Sequence, residues 1–281
     1  MKIEIAEHCG FCSGVKNAVD MANAALDTYG RVAVLGDLVH NKVVVDKLKA
    51  RGLVYVDRLE DVGEMPLLLR AHGTDAELIR KAEALGLHIL DGTCPLVNEI
   101  HRRAMELENE GRQIIVIGDK EHDEVLGIVS RLRDYCIVSA LSDLKACTLK
   151  SRTGVVVQST QRLDRVLKIL PGILTTSRDC RIINTICEPT RRNQEEIHAL
   201  AKHNDCVLVI GDPHSANSKR LFAVARSLNR NSHMVAGVGD IDPDWFRDCA
   251  SLGITAGAST PGSLIESIKE YVKNLNGDKT K

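Results

Sequence analysis

Three cysteines occupy similar short contexts far apart in the chain: Cys12 in GFCSGV, Cys94 in DGTCPLV and Cys187 in NTICEPT. Cysteine thiolates hold iron–sulfur clusters, and three of them on three separate loops suit a [4Fe–4S] cluster with one iron open to a substrate. A structural zinc site more often shows paired cysteines within a few residues. Buried, inert thiols are the other interpretation, and the spacing alone leaves both open.

The remaining cysteines are predicted to be non-ligands. One of them forms a C-x-x-C pair with Cys12, but no second pair accompanies it, as a zinc site would require. This group consists of Cys9, Cys136, Cys147, Cys180, Cys206 and Cys249.

Short hydrogen-bonding side chains follow several apolar runs that are typical of buried strands. They suit an anion, because ligands of open parallel sheets collect beyond the carboxyl ends of the strands, at helix N-termini. Taken singly, a histidine at such a place is more often structural, and a serine or threonine is usually an N-cap. Their recurrence in each third of the chain favours one shared polar pocket. The candidates are His40, His72, His122, Glu124, Ser159, Thr160, Ser215, Asn217 and Ser259.

The elements that would position these residues repeat three times. Gly36, Gly118 and Gly211 each begin a Gly-Asp pair after a β-branched run, and a helical pattern follows each pair. The interval from Cys12 to Cys94 equals the interval from Gly36 to Gly118. The thiols therefore repeat with the same period as the strands.

A second strand–helix–strand pattern then follows in each third. It runs from LLLRAHG to LHILDGTCP, from GVVVQST to CRIINTICEPT, and from HMVAGVGD through a helix in PDWFRDCASLG to ITAGASTPGSLI. In the last third, Ala-Gly-Ala-Ser stands where a cysteine is expected, so Cys12 would supply the missing thiol. The pattern predicts three pseudo-symmetric, parallel-sheet α/β lobes at residues 14–93, 94–186, and 187–281 with 1–13.

Composition narrows the functional classes. The chain has 281 residues and a net charge of -1, so no basic excess points to nucleic acid or an anionic membrane surface. Aromatic residues make up 3%, which argues against base-stacking platforms. No apolar stretch is long enough to span a membrane, and MKIEIAEHCGFC does not read as a signal peptide. We therefore expect a cytoplasmic protein with reduced thiols.

The order of the motifs resembles one family over essentially the whole chain. GFCSGVKNAV, VHN, RAHG, DGTCPLV, HDEV, QST, TIC, SANS and TAGASTP occur in the order found in LytB-type 4-hydroxy-3-methylbut-2-enyl diphosphate reductases. The resemblance implies a trilobed α/β fold around a central [4Fe–4S] cluster with three Cys ligands and one open iron. It also implies the last step of the non-mevalonate isoprenoid pathway, a reductive dehydroxylation to isopentenyl and dimethylallyl diphosphate.

The resemblance implies a role for each candidate residue. Cys12, Cys94 and Cys187 match the cluster ligands, Glu124 matches an acid that delivers protons, and Ser159 or Thr160 matches a hydroxyl beside the substrate's alcohol. No G-x-G-x-x-G motif follows a strand, so electrons are expected from reduced ferredoxin or flavodoxin. The residues that match the diphosphate-binding set are His40, His72, His122, Ser215, Asn217 and Ser259.

This sequence departs from the family pattern near the predicted pocket. Ala216 replaces a serine, and Glu121 and Asp123 flank a histidine where glycine and proline are usual. Asn184 replaces an aspartate, and Asn193 stands at an arginine position. Neutral drift is one explanation. A paralogous [4Fe–4S] reductase for a different allylic or anionic substrate is another, and a non-catalytic iron–sulfur sensor is a third that would leave the pocket hydroxyls without a role.

Overall fold

The computed structural model describes residues 1–277 and contains there three four-stranded parallel β-sheets. The strands are β1 (Lys2–Ile5), β2 (Val32–Leu35), β3 (Leu53–Val56), β4 (Leu67–Leu69), β5 (Ile89–Asp91), β6 (Gln113–Ile117), β7 (Tyr135–Val138), β8 (Arg152–Val157), β9 (Asp179–Ile182), β10 (Cys206–Ile210), β11 (Ser232–Val235) and β12 (Ser251–Ala256). The α-helices are α1 (Ser13–Tyr29), α2 (Lys42–Arg51), α3 (Ala76–Ala84), α4 (Pro95–Asn109), α5 (Asp123–Val129), α6 (Leu163–Leu174), α7 (Glu188–His203), α8 (Ala216–Leu228) and α9 (Gly262–Gly277).

The three sheets share one strand order. They read β3-β2-β4-β5, β7-β6-β8-β9 and β11-β10-β12-β1, and every pair of neighbouring strands is parallel. The predicted fold class of three parallel-sheet α/β lobes is thereby confirmed. The expectation that they surround an iron–sulfur cluster stays a prediction.

The apolar runs form strands that are buried on both faces, as expected for a parallel sheet covered by helices. In the second sheet, residues 114–117 are fully buried, and successive side chains point to opposite faces. Ile114 and Val116 pack with α4 and α5, whereas Ile115 and Ile117 pack with α6. The near-continuous run of β-branched residues therefore corresponds to a strand that is covered by helices on both faces.

Each sheet also contains a strand that the sequence analysis did not identify. These strands are β3, β7 and, in the third sheet, the N-terminal β1. HMVAGVGD contains β11, which pairs with β10 as β3 pairs with β2, so its assignment as the counterpart of LLLRAHG was wrong. The true counterpart of LLLRAHG in the third sheet is β12 with the loop that follows it.

The helix predicted in PDWFRDCASLG is also wrong. Only one turn of 3-10 helix forms, at Pro243–Phe246, and β12 begins at Ser251. The Asp205 carboxylate accepts hydrogen bonds from the N–H groups of Ala250 and Ser251, at 2.8 and 2.9 Å, and so fixes the start of the strand. Too few residues lie between Phe246, where the 3-10 turn ends, and Ser251, where β12 begins, to form an α-helix.

The described residues form two compact units. The first contains Met1–Val15, His40–Val45 and the described residues from Glu188 onward, and the second contains Lys16–Val39 and Asp46–Cys187. The third sheet belongs to the first unit, and the other two sheets belong to the second. The predicted residue boundaries of three lobes stay a prediction. Within residues 1–277, no helix is both long and apolar enough to cross a bilayer.

Candidate functional site

The candidate residues follow the carboxyl ends of the same three strands in each sheet. Two cysteines thus have matching places in the second unit: Cys94 follows β5 and Cys187 follows β9. Cys12 follows β1, which occupies the corresponding edge of the third sheet. The N-terminal thiol is therefore the topological counterpart of the other two. Ala-Gly-Ala-Ser follows β12 instead and corresponds to the loops after β4 and β8, which corrects its expected match to a cysteine position.

Each of the three cysteines lies directly before the first residue of a long helix: Cys12 before α1, Cys94 before α4 and Cys187 before α7. The side chains of all three cysteines are partly buried. The N–H of Val15 points at Cys12 Sγ, 3.5 Å away. The N-terminus of a helix stabilises negative charge, so these positions suit an anionic group.

Several of the other cysteines lie in surroundings that keep the thiol protonated. Burial raises the pKa of Cys206 to about 12, and it also raises the pKa of Cys9, Cys136 and Cys249. A neutral thiol is a poor ligand for iron. Burial therefore disfavours metal binding at these four positions.

In the second unit, a buried carboxylate meets a hydroxyl at the end of β8. Glu124 is 2% exposed; its Oε1 accepts a hydrogen bond from the Ser159 N–H at 2.5 Å, and its Oε2 accepts one from Ser159 Oγ at 2.8 Å. The Ser159 carbonyl accepts the N–H of Cys187 at 2.9 Å. Thr160 Oγ1 instead accepts a hydrogen bond from Gln158 Nε2 at 3.3 Å. The structure therefore brings Glu124, Ser159 and Cys187 together, and it places the hydroxyl of Ser159 on the acid.

Two histidines of the second unit also come together. The rings of His72 and His122 have centroids 6.3 Å apart and meet edge to face. His122 is the N-cap of α5, and its Nδ1 accepts the N–H of Glu124 at 3.2 Å. Asp123 reaches the other way, with Oδ2 3.2 Å from His72 Nε2 and 3.0 Å from Arg70 Nη1. Sequence analysis noted Asp123 as a departure but missed Arg70, because nothing in the sequence shows that the two meet.

In the first unit, the candidates around α8 and the His40 segment are linked by hydrogen bonds. Ser259 Oγ donates to the His40 carbonyl at 3.0 Å. Ser215 is the N-cap of α8 and accepts the N–H of Ser218 at 3.3 Å. Asn217 is 6% exposed, and its Nδ2 has no hydrogen-bond partner among residues 1–277. A buried amide without a partner is costly, so this nitrogen fits a polar ligand.

The glycine of the repeated Gly-Asp pairs leaves room for a side chain from elsewhere. Gly36 has φ +74°, and a Cβ there would lie 3.0 Å from Nη1 of Arg70. A Cβ on Gly211 would lie 2.2 Å from Ser218 Oγ on α8, closer than any real contact. At both positions the absence of a Cβ lets a polar side chain cross the end of a strand. Arg70 crosses the end of β2, and Ser218 crosses the end of β10.

His101 is a buried residue of this region that sequence analysis missed. It lies on the apolar face of α4 and is 4% exposed. Its ring packs against Gly73 and Gly127, so it lies between the loop that carries His72 and helix α5. Burial, followed by the nearby charge of Arg131, lowers the pKa of His101 to about 4. A lone histidine on an apolar helix face was the available signal.

Comparison with known proteins agrees along the full length. Residues 3–273 match the family model described as "LytB protein". The chain is 35% identical over 281 residues to 4-hydroxy-3-methylbut-2-enyl diphosphate reductase of Geobacter metallireducens, covering 100% of both proteins. It is 34% identical to the reductase of the same name from Aquifex aeolicus, covering 97% of this chain and 96% of that one.

Solved structures give the same result. The chain matches a structure of (E)-4-hydroxy-3-methyl-but-2-enyl diphosphate reductase, described as the terminal enzyme of the non-mevalonate pathway, at 33% identity and a TM-score of 0.73. That match covers 98% of this chain and 100% of the other. The reductase from Plasmodium falciparum matches at 26% identity and a TM-score of 0.91, covering 97% of this chain and 87% of that one.

Proposed function

The chain belongs to the LytB protein family, and on that premise we propose that it is a 4-hydroxy-3-methylbut-2-enyl diphosphate reductase. In this reaction two electrons and two protons enter, the allylic C–O bond breaks, and water leaves. The products are isopentenyl and dimethylallyl diphosphate. The observation that carries the proposal is the buried Glu124–Ser159 pair, hydrogen-bonded to the backbone of Cys187, since it joins a proton source to a predicted ligand of the redox centre.

The LytB family consists of iron–sulfur enzymes. In this chain Cys12, Cys94 and Cys187 would hold a [4Fe–4S] cluster, which leaves one iron without a protein ligand. Their fit rests on their matching places after the edge strands and directly before long helices. When bound, the cluster would supply the electrons and a Lewis-acidic iron for the substrate's alcohol.

The diphosphate would be held by the imidazole, hydroxyl and amide groups that follow β2, β4, β6, β10 and β12. The second unit contributes His72 and His122, and the unpartnered Nδ2 of Asn217 is the clearest donor in the first unit. Such donors suit a phosphate oxygen better than an apolar pocket would. The full proposed set is His40, His72, His122, Ser215, Asn217 and Ser259.

Proton delivery is assigned to Glu124 with Ser159 as a relay. When Glu124 carries a proton on Oε2, the Ser159 hydroxyl can accept it and pass its own proton to the leaving oxygen. The hydroxyl of Ser159, rather than that of Thr160, is assigned to this step because it contacts the acid.

The electron donor is proposed to be a separate small redox protein, reduced ferredoxin or flavodoxin. The chain has no G-x-G-x-x-G motif after a strand, so a bound nicotinamide or flavin dinucleotide is not the expected source. A cytoplasmic location also stays a prediction.

An anaerobic assay with the diphosphate substrate and a reduced viologen dye tests the proposal. Dye oxidation should accompany formation of both products, and Cys12→Ser should abolish it while Cys249→Ser does not. Iron-loaded protein that fails to turn over this substrate would contradict the proposal. Turnover of another allylic alcohol in its place would support the paralogue hypothesis that the substitution at Ala216 raises.

A further inference from the structure

Asp123 places a carboxylate beside two nitrogen groups of the second unit, the guanidinium of Arg70 and the imidazole of His72. Its Oδ2 lies 3.0 Å from Arg70 Nη1 and 3.2 Å from His72 Nε2. The neighbouring His122 ring lies 6.3 Å from the ring of His72. The carboxylate is therefore part of the region that we assign to diphosphate binding, although it carries the wrong charge to bind an anion.

The ion pair with Arg70 stabilises the Asp123 carboxylate in this position. The Arg70 side chain is only 14% exposed, and its Nε is buried without a hydrogen-bond partner among residues 1–277. It passes over Gly36, where a Cβ would lie 3.0 Å from its Nη1. Removing a guanidinium from water is costly unless an anion pairs with it, and Asp123 provides that anion.

The Asp123 carboxylate is also accessible enough for another anion to replace it. The Asp123 side chain is 34% exposed, more than twice the exposure of Arg70 or His72. It stands at the first residue of α5, so a rotation of its side chain would move Oδ2 away from the nitrogens of Arg70 and His72. An incoming phosphate oxygen could then take the place of Oδ2.

We propose that Asp123 is a built-in competing anion, which occupies the donor groups of His72 and Arg70 until a diphosphate displaces it. This inference rests on the proposed function. Displacement favours an anion of high charge density, because the incoming group must replace a carboxylate at the same guanidinium and imidazole. Asp123 thus selects for diphosphates over monophosphates and carboxylates, and it weakens substrate binding in return.

Asp123→Asn tests the proposal because it removes the charge and keeps the size of the side chain. KM for the diphosphate substrate should fall by about threefold to tenfold, the effect of removing one charge beside an anion in a partly solvated site. The value of kcat should stay within about twofold, since ground state and transition state carry the same diphosphate. The Ki of inorganic phosphate should fall by more than the Ki of inorganic pyrophosphate.

Glu121→Gln is the matched control. Glu121 is exposed, lies two residues before Asp123 and gives the same change in net charge, but it forms none of the contacts that Asp123 makes with Arg70 and His72. KM should change by less than about twofold in this variant. In a His72→Ala background, the gain from Asp123→Asn should shrink, because one of the two donors is missing.

A rise in KM in Asp123→Asn would overturn the proposal, since Asp123 would then support the donors rather than compete for them. No change relative to Glu121→Gln would overturn it equally. Calorimetric titration of the anaerobic holoenzyme with inorganic pyrophosphate separates this inference from the proposed function. If the parent lacks reductase activity but Asp123→Asn binds pyrophosphate more tightly, the assigned activity fails and the competing anion stands.

Discussion

Replacement of Glu124 by glutamine tests proton delivery most directly. The change keeps the length of the side chain and a carbonyl oxygen, which can still accept the Ser159 N–H that now lies 2.5 Å from Oε1. The amide nitrogen would face Ser159 Oγ, now 2.8 Å from Oε2, and the hydroxyl can turn to accept from it. The buried site is therefore satisfied in the variant, but no proton can be delivered from it.

The expected magnitudes follow from these contacts. Two hydrogen bonds to a carboxylate become two neutral ones, which lowers the free energy of unfolding by about 1–2 kcal/mol. Loss of a positioned general acid lowers kcat by about 10²–10⁴-fold. The Kd of the substrate should change little, because Glu124 is not assigned to the diphosphate. Iron content should equal that of the parent, because Glu124 is not a ligand.

Single-turnover kinetics under anaerobic conditions would measure the effect, with substrate binding followed by electron paramagnetic resonance. Glu124→Gln should bind substrate, perturb the signal and fail to release water. Ser159→Ala is the companion variant, and it should lose rate by a similar factor if the hydroxyl is the relay. A kcat within a few-fold of the parent in Glu124→Gln would refute the acid role and leave Glu124 as a residue that anchors α5 to Ser159.

Three further predictions concern the ligands, the anion site and a buried histidine. Anaerobically purified protein should absorb broadly near about 400 nm, and Cys12→Ser should lose most iron whereas Cys136→Ser should not, as an iron assay would show. Ala216→Ser should lower KM, since it restores one hydroxyl worth about 0.5–1.5 kcal/mol; a higher KM would indicate that another group fills this place. The pKa of His101 falls to about 4 in the fold from 6.5, so the unfolded chain binds more protons and stability should drop as pH falls from about 6.5 toward 4. Urea denaturation should show that the free energy of unfolding falls by about 2 kcal/mol between pH 7 and pH 5, and that His101→Gln abolishes this fall. An equal fall in the variant would assign the pH dependence to other groups.

The central strands could be predicted because a strand buried on both faces needs a run of β-branched residues. Residues 114–117 and 155–157 are apolar on both faces, which favours a strand with helices packed on each side, and both segments form strands. The edge strands β3 and β7 are only partly buried, so their patterns, LVYV and YCIV, carry less signal. These two strands form because β2 and β6 pair with them through backbone hydrogen bonds, and their own sequences do not indicate that pairing.

The pairing of β1 with β12 could not be predicted from pattern either. KIEI alternates exposed and half-buried positions, as an edge strand does, but nothing in it specifies a partner at the far end of the chain. Cys12 was expected to replace a missing thiol, whereas the topology makes it the regular third member of the set. The contact of Asp123 with Arg70 escaped prediction for the same reason: ion pairs between distant segments depend on how the elements pack.

The first turn of α5 separates anion binding from proton delivery at neighbouring positions. Asp123 turns toward Arg70, while Glu124 turns toward Ser159, because successive helical residues point about 100° apart. A substitution at the first position should therefore act mainly on KM and one at the second mainly on kcat. The carboxylate of Asp123 thus lies next to the acid in the sequence but contacts Arg70 and His72, whereas the acid contacts Ser159.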